Sequence, residues 1–252
     1  DRKNYFYADL PQGYQISQFE APSCLNGSVK FNVNNKLVDV ALERIHLEED
    51  TARLIHDADI VKDESVSLMD VNRSGVPLME VVSKPDIHSA DEAIGYLKKL
   101  RQTLRYLEIS DADMEKGSFR CDANISVKPK GAKELGNKVE VKNMNSFRSI
   151  HKAIETEIVR QSNLLIEGEQ VVQETRGFID AQGITVSQRS KEQAHDYRYF
   201  PEPDLPPLIF NKSQINKINK FLIELPNEKS KRFQEEYALA IDEAEFLSSS
   251  KL

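Results

Sequence analysis

The sequence predicts an α+β fold of mostly antiparallel strands with flanking helices, followed by the start of a helical unit. Three observations predict it: runs that alternate apolar and polar residues around turn sequences, two long stripes at helical spacing, and a proline-rich connection after which only short helical patterns recur.

From Gly27 to Leu47 apolar residues alternate, first Val29, Phe31 and Val33, then Val38, Val40 and Leu42, with Asn34-Asn35 between them as turn chemistry, so a β-hairpin is expected. Residues 65 to 83 hold short apolar runs broken by Asn72, Gly75 and Pro77, which favours strands and loops. Ser89-Ala90-Asp91-Glu92 reads as a capping box. The stripe of Ile94, Leu97, Leu100, Leu104 and Leu107 behind it predicts a helix over about 89–107. Phe119 to Val127 and Val139 to Lys142 alternate again, joined by a lysine-rich turn. Phe147, Ile150, Ile154, Ile158 and Leu165 predict a second helix, stopped by Gly168. A second hairpin is expected from Val171–Arg176 and Ile184–Arg189. The four prolines of residues 201–207 fix an extended connection. The expected division is a domain over 1–211 and the beginning of a helical domain over 212–252, its short helices separated by Pro226.

Charged residues are 30% of the chain and no apolar run approaches the roughly 20 residues of a membrane helix, so a soluble intracellular protein is expected. Cys24 and Cys121 stand apart, in no metal or disulfide spacing. A net charge of -7 is the wrong sign for gripping nucleic acid over the whole surface, so any RNA contact must be local or shared. The first residue is Asp1 and the opening residues read as structured interior sequence, so a fragment is expected. There is no GxxxxGK[ST], GxGxxG, HExxH or GxSxG motif, and neither cysteine has a glutaminase-like setting. If the reaction needs ammonia, another subunit must release it.

Carboxylates carry the strongest chemical signal. Glu80 lies inside the apolar strand Leu78-Met79-Glu80-Val81-Val82, where an unpaired charge must meet a metal, a base or a cavity. In Ile45-His46-Leu47-Glu48-Glu49-Asp50, a period of two aligns Glu49 with Ile45 and Leu47, and so turns it toward their expected buried side. Two inward carboxylates from different strands suit Mg²⁺. The structural alternative pairs Glu80 with Arg73. Asp70-Val71-Asn72-Arg73-Ser74-Gly75 could present polar side chains and a close-approach glycine to phosphate or metal, or be a plain turn. The face with Arg120, Asp122, Asn124, Glu140 and Lys142 reads as a polar sheet surface. Lys98, Lys99, Arg101 and Arg105 make a basic helix patch, and Tyr197-Arg198-Tyr199-Phe200 could stack a base, although a solvated face and a packed loop are the simpler readings. His46, His56 and His88 have no ligand spacing and read as structural.

Taken together, Arg2-Lys3-Asn4-Tyr5-Phe6-Tyr7, Gly13-Tyr14-Gln15-Ile16-Ser17-Gln18, His46-Leu47-Glu48-Glu49-Asp50 and Asp70 to Leu78 resemble the GatB family of aminoacyl-tRNA amidotransferase subunits. Gly117 to Asn124, Glu140 to Phe147, Gln173 to Arg176 and Asp196 to Asp204 continue the resemblance.

The resemblance implies a cradle-like antiparallel domain followed by helices, in a heterotrimer with an amidase (glutaminase) subunit and a small third subunit. It implies that ATP with Mg²⁺ phosphorylates the side-chain carboxylate of Glu-tRNA(Gln) or Asp-tRNA(Asn), and that ammonia from glutamine displaces the phosphate. By the same resemblance Lys3, Glu49 and Glu80 are expected as catalytic residues, Glu49 and Glu80 as the metal ligands, and Lys3, Asn72 and Arg73 as cofactor contacts. The remaining metal ligands and a tRNA-binding tail are expected outside this chain, in a protein of the cytoplasm or of an organelle matrix. Competing expectations are the archaeal paralogue with an inserted domain, a non-catalytic tRNA scaffold, and a synthetase acting on a free acid. The direct run from Leu208-Ile209-Phe210 into the helical segment disfavours the paralogue.

Overall fold

The computed structural model describes residues 1–55, 66–190 and 197–250, with side chains at 189 and 190 excepted. His56 and Asp196 lie outside the described residues. The chain divides into two compact units. The first comprises Asp1–Ser28 and the described parts of Val40–Asp86 and Ala194–Phe210. The second comprises Val29–Asp39 and the described parts of Ile87–Gln193 and Asn211–Leu252, so the helical segment after the prolines groups with residues before them.

In the first unit, β1 (Arg2–Asn4) pairs antiparallel with β2 (Tyr14–Ile16), Lys3 opposite Gln15. On its other side β1 is bonded to the aromatic segment, Arg2 N to Phe200 O at 2.8 Å and Asn4 N to Tyr197 O at 2.9 Å. β3 (Cys24–Leu25) precedes β4 (Ser28–Val33) and the long β5 (Lys36–Glu49). From Val40 onward β5 belongs to this unit, and β3 pairs with it at Arg44 and Ile45. β6 (Arg53–Ile55) and β7 (Leu68–Asp70) form a short ladder, and β8 (Pro77–Ser83) runs antiparallel along β5. Their register sets His46 opposite Glu80 and Glu48 opposite Leu78, after a bulge between Leu42 and Arg44. Ser17 bridges to Glu48.

The second unit contains the rest of the expected hairpin, with Asn34 and Asn35 at φ 50° and 62°, the left-handed pair that a tight turn demands. α1 (Ala90–Tyr106) begins where expected: Ser89 Oγ accepts from Glu92 N at 3.1 Å. The Glu92 carboxylate reaches one residue further back than a capping box, accepting from His88 N at 2.7 Å. β9 (Ala123–Ile125), β10 (Val139–Lys142), β11 (Glu174–Ile179) and β12 (Ile184–Ser190) form a sheet in the order β12-β11-β10-β9. Between β10 and β11 runs α2 (Phe147–Ile166), capped by Ser146 and released at Gly168, φ 80°. A crossover helix returns the chain to the same end of the sheet, so β10 and β11 pair in parallel while the other ladders are antiparallel. Val139, Val141, Ile150 and Ala153 are fully buried at its core.

Two strands are shorter than their alternation suggested. Phe119 lies outside β9, its ring edge-on to Phe147 with centroids 6.3 Å apart, and β11 starts at Glu174 rather than Val171. α3 (Lys212–Asn219), α4 (Pro226–Tyr237) and α5 (Ile241–Ser248) follow, with Pro226 opening α4, where its missing N–H costs no hydrogen bond. Among the described residues no helix is long and apolar enough to cross a membrane.

Gly95 in the middle of α1 has a packing reason. A Cβ there would stand 2.7 Å from the Phe31 ring and 2.8 Å from Val33 Cγ2. Gly95→Ala is therefore expected to destabilise the protein despite alanine's helix preference: overpacking costs about 1–3 kcal/mol against a propensity gain of at most about 1 kcal/mol. A urea midpoint equal to or above that of the parent protein would contradict this.

Candidate functional site

Because β5 continues past the end of the β3 ladder, it carries His46 and Glu48 two residues apart on one face, and the β8 register brings Glu80 to them. Potential ligand atoms of His46, Glu48 and Glu80 all lie within 4.8 Å of one another. His46 Nε2 stands 3.2 Å from Glu48 Oε1 and 3.6 Å from Glu80 Oε2. Ionised carboxylates only accept, so a hydrogen bond here has His46 Nε2 as its donor. Among the described residues the buried His46 Nδ1 has no hydrogen-bond partner.

Glu48 is the hub. Its side chain is 6% exposed, and it accepts from Ser17 Oγ at 3.0 Å and from Gln15 Nε2 at 3.3 Å, with Lys3 Nζ at 3.7 Å. His46 is fully buried, while the Glu80 side chain is 47% exposed. The cluster thus runs from a dry base to a wet mouth, an arrangement in which an incoming cation or phosphate meets Glu80 first.

Aromatic rings wall the cluster. Lys3 Nζ lies 5.0 Å from the Tyr197 ring centroid and 5.7 Å from that of Tyr5. Phe19 stacks on Tyr199 at 5.2 Å and meets His46 edge-on at 5.9 Å. Burial, then the charges of Asp9 and Glu48, pushes the Tyr5 hydroxyl up to about 12. Burial, then Glu48, does the same for Tyr199, again to about 12. Both therefore stay neutral across the physiological range. Arg2 anchors the wall through a two-pronged pair with Glu202, Nε to Oε2 at 2.5 Å and Nη2 to Oε1 at 3.0 Å. The guanidinium's hydrogen bonds hold the Glu202 carboxyl below its ordinary value.

Of the residues expected from sequence, Lys3 and Glu80 are in this cluster. Glu49 is not: its carboxylate accepts from Ile16 N at 3.0 Å, and Glu48 takes the place beside Glu80. The inward face at this end of β5 is that of His46 and Glu48. Leu47 is 47% exposed, whereas His46 and Asp50 are buried, so the inward side of β5, apolar at Val38, Val40 and Leu42, turns polar toward its end. Glu80 is likewise not the buried charge its apolar neighbours suggested. Its expected structural partner Arg73 instead lies 3.5 Å from Asp50 Oδ2. Asn72 is exposed and donates to Asp70 through its backbone N–H, at 2.9 Å, and its side chain. The turn carrying both is clamped to the end of β5, with Gly75 N donating to Asp50 O at 2.9 Å and Asp50 N to Val76 O at 2.8 Å. His46, Glu48, Gln15 and Ser17 were missed as site residues. The signal was available in the polar alternation of His46, Glu48 and Asp50.

In the second unit, the polar sheet face has internal partners: Lys142 bonds Asp122 and lies 3.4 Å from Glu140, which accepts from Thr175 Oγ1 at 2.9 Å.

The family model of the GatB/GatE catalytic domain matches residues 1–216. The chain is 51% identical over 250 residues to the B-type subunit of the aspartyl/glutamyl-tRNA(Asn/Gln) amidotransferase of Oleidesulfovibrio alaskensis, covering 99% of this chain and 52% of that protein. Against the proteins of the same name from Caldicellulosiruptor bescii and Dehalococcoides mccartyi the identities are 51% and 54%, each covering 100% of this chain and 52% and 51% of the relative. The chain spans about half the length of the curated relatives it matches.

Proposed function

The chain belongs to the GatB/GatE catalytic-domain family, and from that premise we propose that it activates the side-chain carboxylate of Glu-tRNA(Gln), Asp-tRNA(Asn) or both by ATP-dependent phosphorylation. Ammonia released from glutamine by a partner amidase subunit then displaces the phosphate, in a complex completed by a small third subunit. The observation that carries this reading is the joining of Glu48, Glu80 and His46 beside Lys3.

The chemistry requires such a site. A carboxylate is a poor acyl donor, and transfer of a phosphoryl group onto it brings several negative charges together, so catalysis rests on positioning and charge neutralisation. Lys3 supplies a fixed cation, held by Glu48 and two tyrosine rings. Tyr5 and Tyr199, kept protonated, exclude water without adding charge. The donor set fits Mg²⁺, which takes one or two carboxylates and completes its shell with water and phosphate oxygens. Glu48 and Glu80 would hold it, and His46, beside both, would position their carboxylates. When bound, the ion would neutralise phosphate charge. Asn72 and Arg73, on the turn clamped to Asp50, are proposed as contacts on the nucleotide side.

The test uses the complete protein in its complex. Amidation is assayed on both mischarged tRNAs, with and without ATP, and on free glutamate and aspartate. Product on at least one tRNA, only with ATP and not on the free acids, is expected. Amidation without ATP, or on free acids, would rule the reading out.

A further inference from the structure

The basic patch of α1 does not belong to the carboxylate site, and one of its residues, Lys98, lines a groove in the second unit. Ile94, Lys98, Phe147, Arg148, His151 and Lys152 line a hollow of about 440 Å³ between α1 and α2. Its charge runs against that of the protein, which is -7 overall. Two of these side chains have acidic partners: His151 lies 3.1 Å from Asp91 and Lys152 2.9 Å from Asp180. Lys98 and Arg148, exposed on opposite walls, have no carboxylate partner among the described residues. The Arg101 guanidinium lies 5.7 Å from the Phe147 ring. Of the α1 cations Lys98 lines this hollow, whereas Arg105 is engaged elsewhere, its Nε donating to Asp111 O.

We infer that this groove holds the sugar–phosphate backbone of RNA, an inference that rests on the tRNA reading above. Two features select that occupant. The apolar residues Ile94 and Phe147 lie in the groove rather than projecting from it, so a flat lipid surface cannot reach them together with the cations. Unpaired lysine and arginine facing each other across a channel are the usual means of neutralising a polyanion by counterion release.

The experiment measures binding of an unacylated tRNA transcript to the complete protein in its complex, as a function of salt. Lys98→Glu with Arg148→Glu is compared with the parent protein and with the milder Lys98→Gln, Arg148→Gln pair. Losing two phosphate contacts should lower the slope of log K against log salt by about 1.4–1.8, which at 0.15 M salt is about 20-fold in affinity. The neutral pair should show a smaller loss in the same direction, which keeps the test valid if charge reversal disturbs folding. Unchanged affinity and slope in both variants, with the parent protein binding tRNA, would overturn the groove alone. No binding by the parent protein would overturn the tRNA reading as well. Binding of anionic vesicles or polyglutamate as tight as that of tRNA, and equally lost in the variants, would also overturn the assignment to RNA.

Discussion

Glu48→Gln is expected to lower ATP-dependent amidation by the complete enzyme about 10²–10³-fold, the usual loss when one preorganised charge is removed from a water-poor site. The hydrogen-bond and ion-pair partners of this carboxylate among the described residues are donors: Ser17 Oγ, Gln15 Nε2, His46 Nε2 and Lys3 Nζ. An amide keeps the volume but turns one acceptor into a donor, so it opposes a donor with a donor and leaves Lys3 without its anion. The same change at Glu80 separates chemistry from folding, because that side chain is 47% exposed and its loss leaves the packing intact. Glu80→Gln should match the loss in rate with a thermal midpoint near that of the parent protein. Glu49→Gln keeps an amide oxygen to accept from Ile16 N and is expected to cost much less. A Glu80→Gln enzyme with the parent rate, or a Glu49→Gln enzyme more impaired than Glu48→Gln, would restore the pair chosen from strand parity and discard the one seen in space.

That contrast explains what the sequence made legible. Turn chemistry is local, so Asn34-Asn35 and Ser89 could be read directly: the first needs two left-handed residues and the second an oxygen near the third amide of a helix. The site needed register, which is not local. Ile45 and Leu47 do not share the buried side because the last part of β5 turns polar residues inward, where His46 and Glu48 meet each other, Gln15 of β2 and Glu80 of β8. Hydropathy treats such residues as exposed, and only the pairing of β5 with β8 identifies the partner of Glu80. The parallel step between β10 and β11 was hidden for a similar reason: alternation is the same in both pairings, and the crossover through α2 decides between them. Ordered motifs spread from Arg2 to Asp204 fared better, since a family resemblance sums many weak positions.

The largest effect on stability is expected at Glu157, which the helical stripe of α2 did not reveal. It is fully buried on the same face as Ile150 and Ile154. Its carboxylate accepts from Arg160 Nε at 3.0 and 3.1 Å, from Gln161 Nε2 at 2.9 Å and from Thr185 Oγ1 at 2.9 Å. Arg176 adds a further charge at 3.8 Å, and Gln161 carries the network to Ile125 O at 3.1 Å, so one side chain ties α2 to β9, β11 and β12. Removing one partner of a buried ion pair strands the other, and Glu157→Ala is expected to cost about 3–5 kcal/mol. At this chain length that is a fall of roughly 6–20 °C in Tm. The pH dependence follows from the same contacts. Burial alone would raise the carboxyl, but the hydrogen bonds from Arg160, Gln161 and Thr185 outweigh it and hold the group below its ordinary value. A carboxyl depressed in the folded state contributes stability that is complete above its unfolded value of about 4.3 and is lost as pH falls through the folded one. Scanning calorimetry on the acid side should therefore show a steeper loss of Tm in the parent protein than in Glu157→Gln, which has no proton to take up there. Superimposable acid limbs, or a Glu157→Ala protein within about 1 kcal/mol of the parent, the size of an ordinary substitution, would show that the network contributes little.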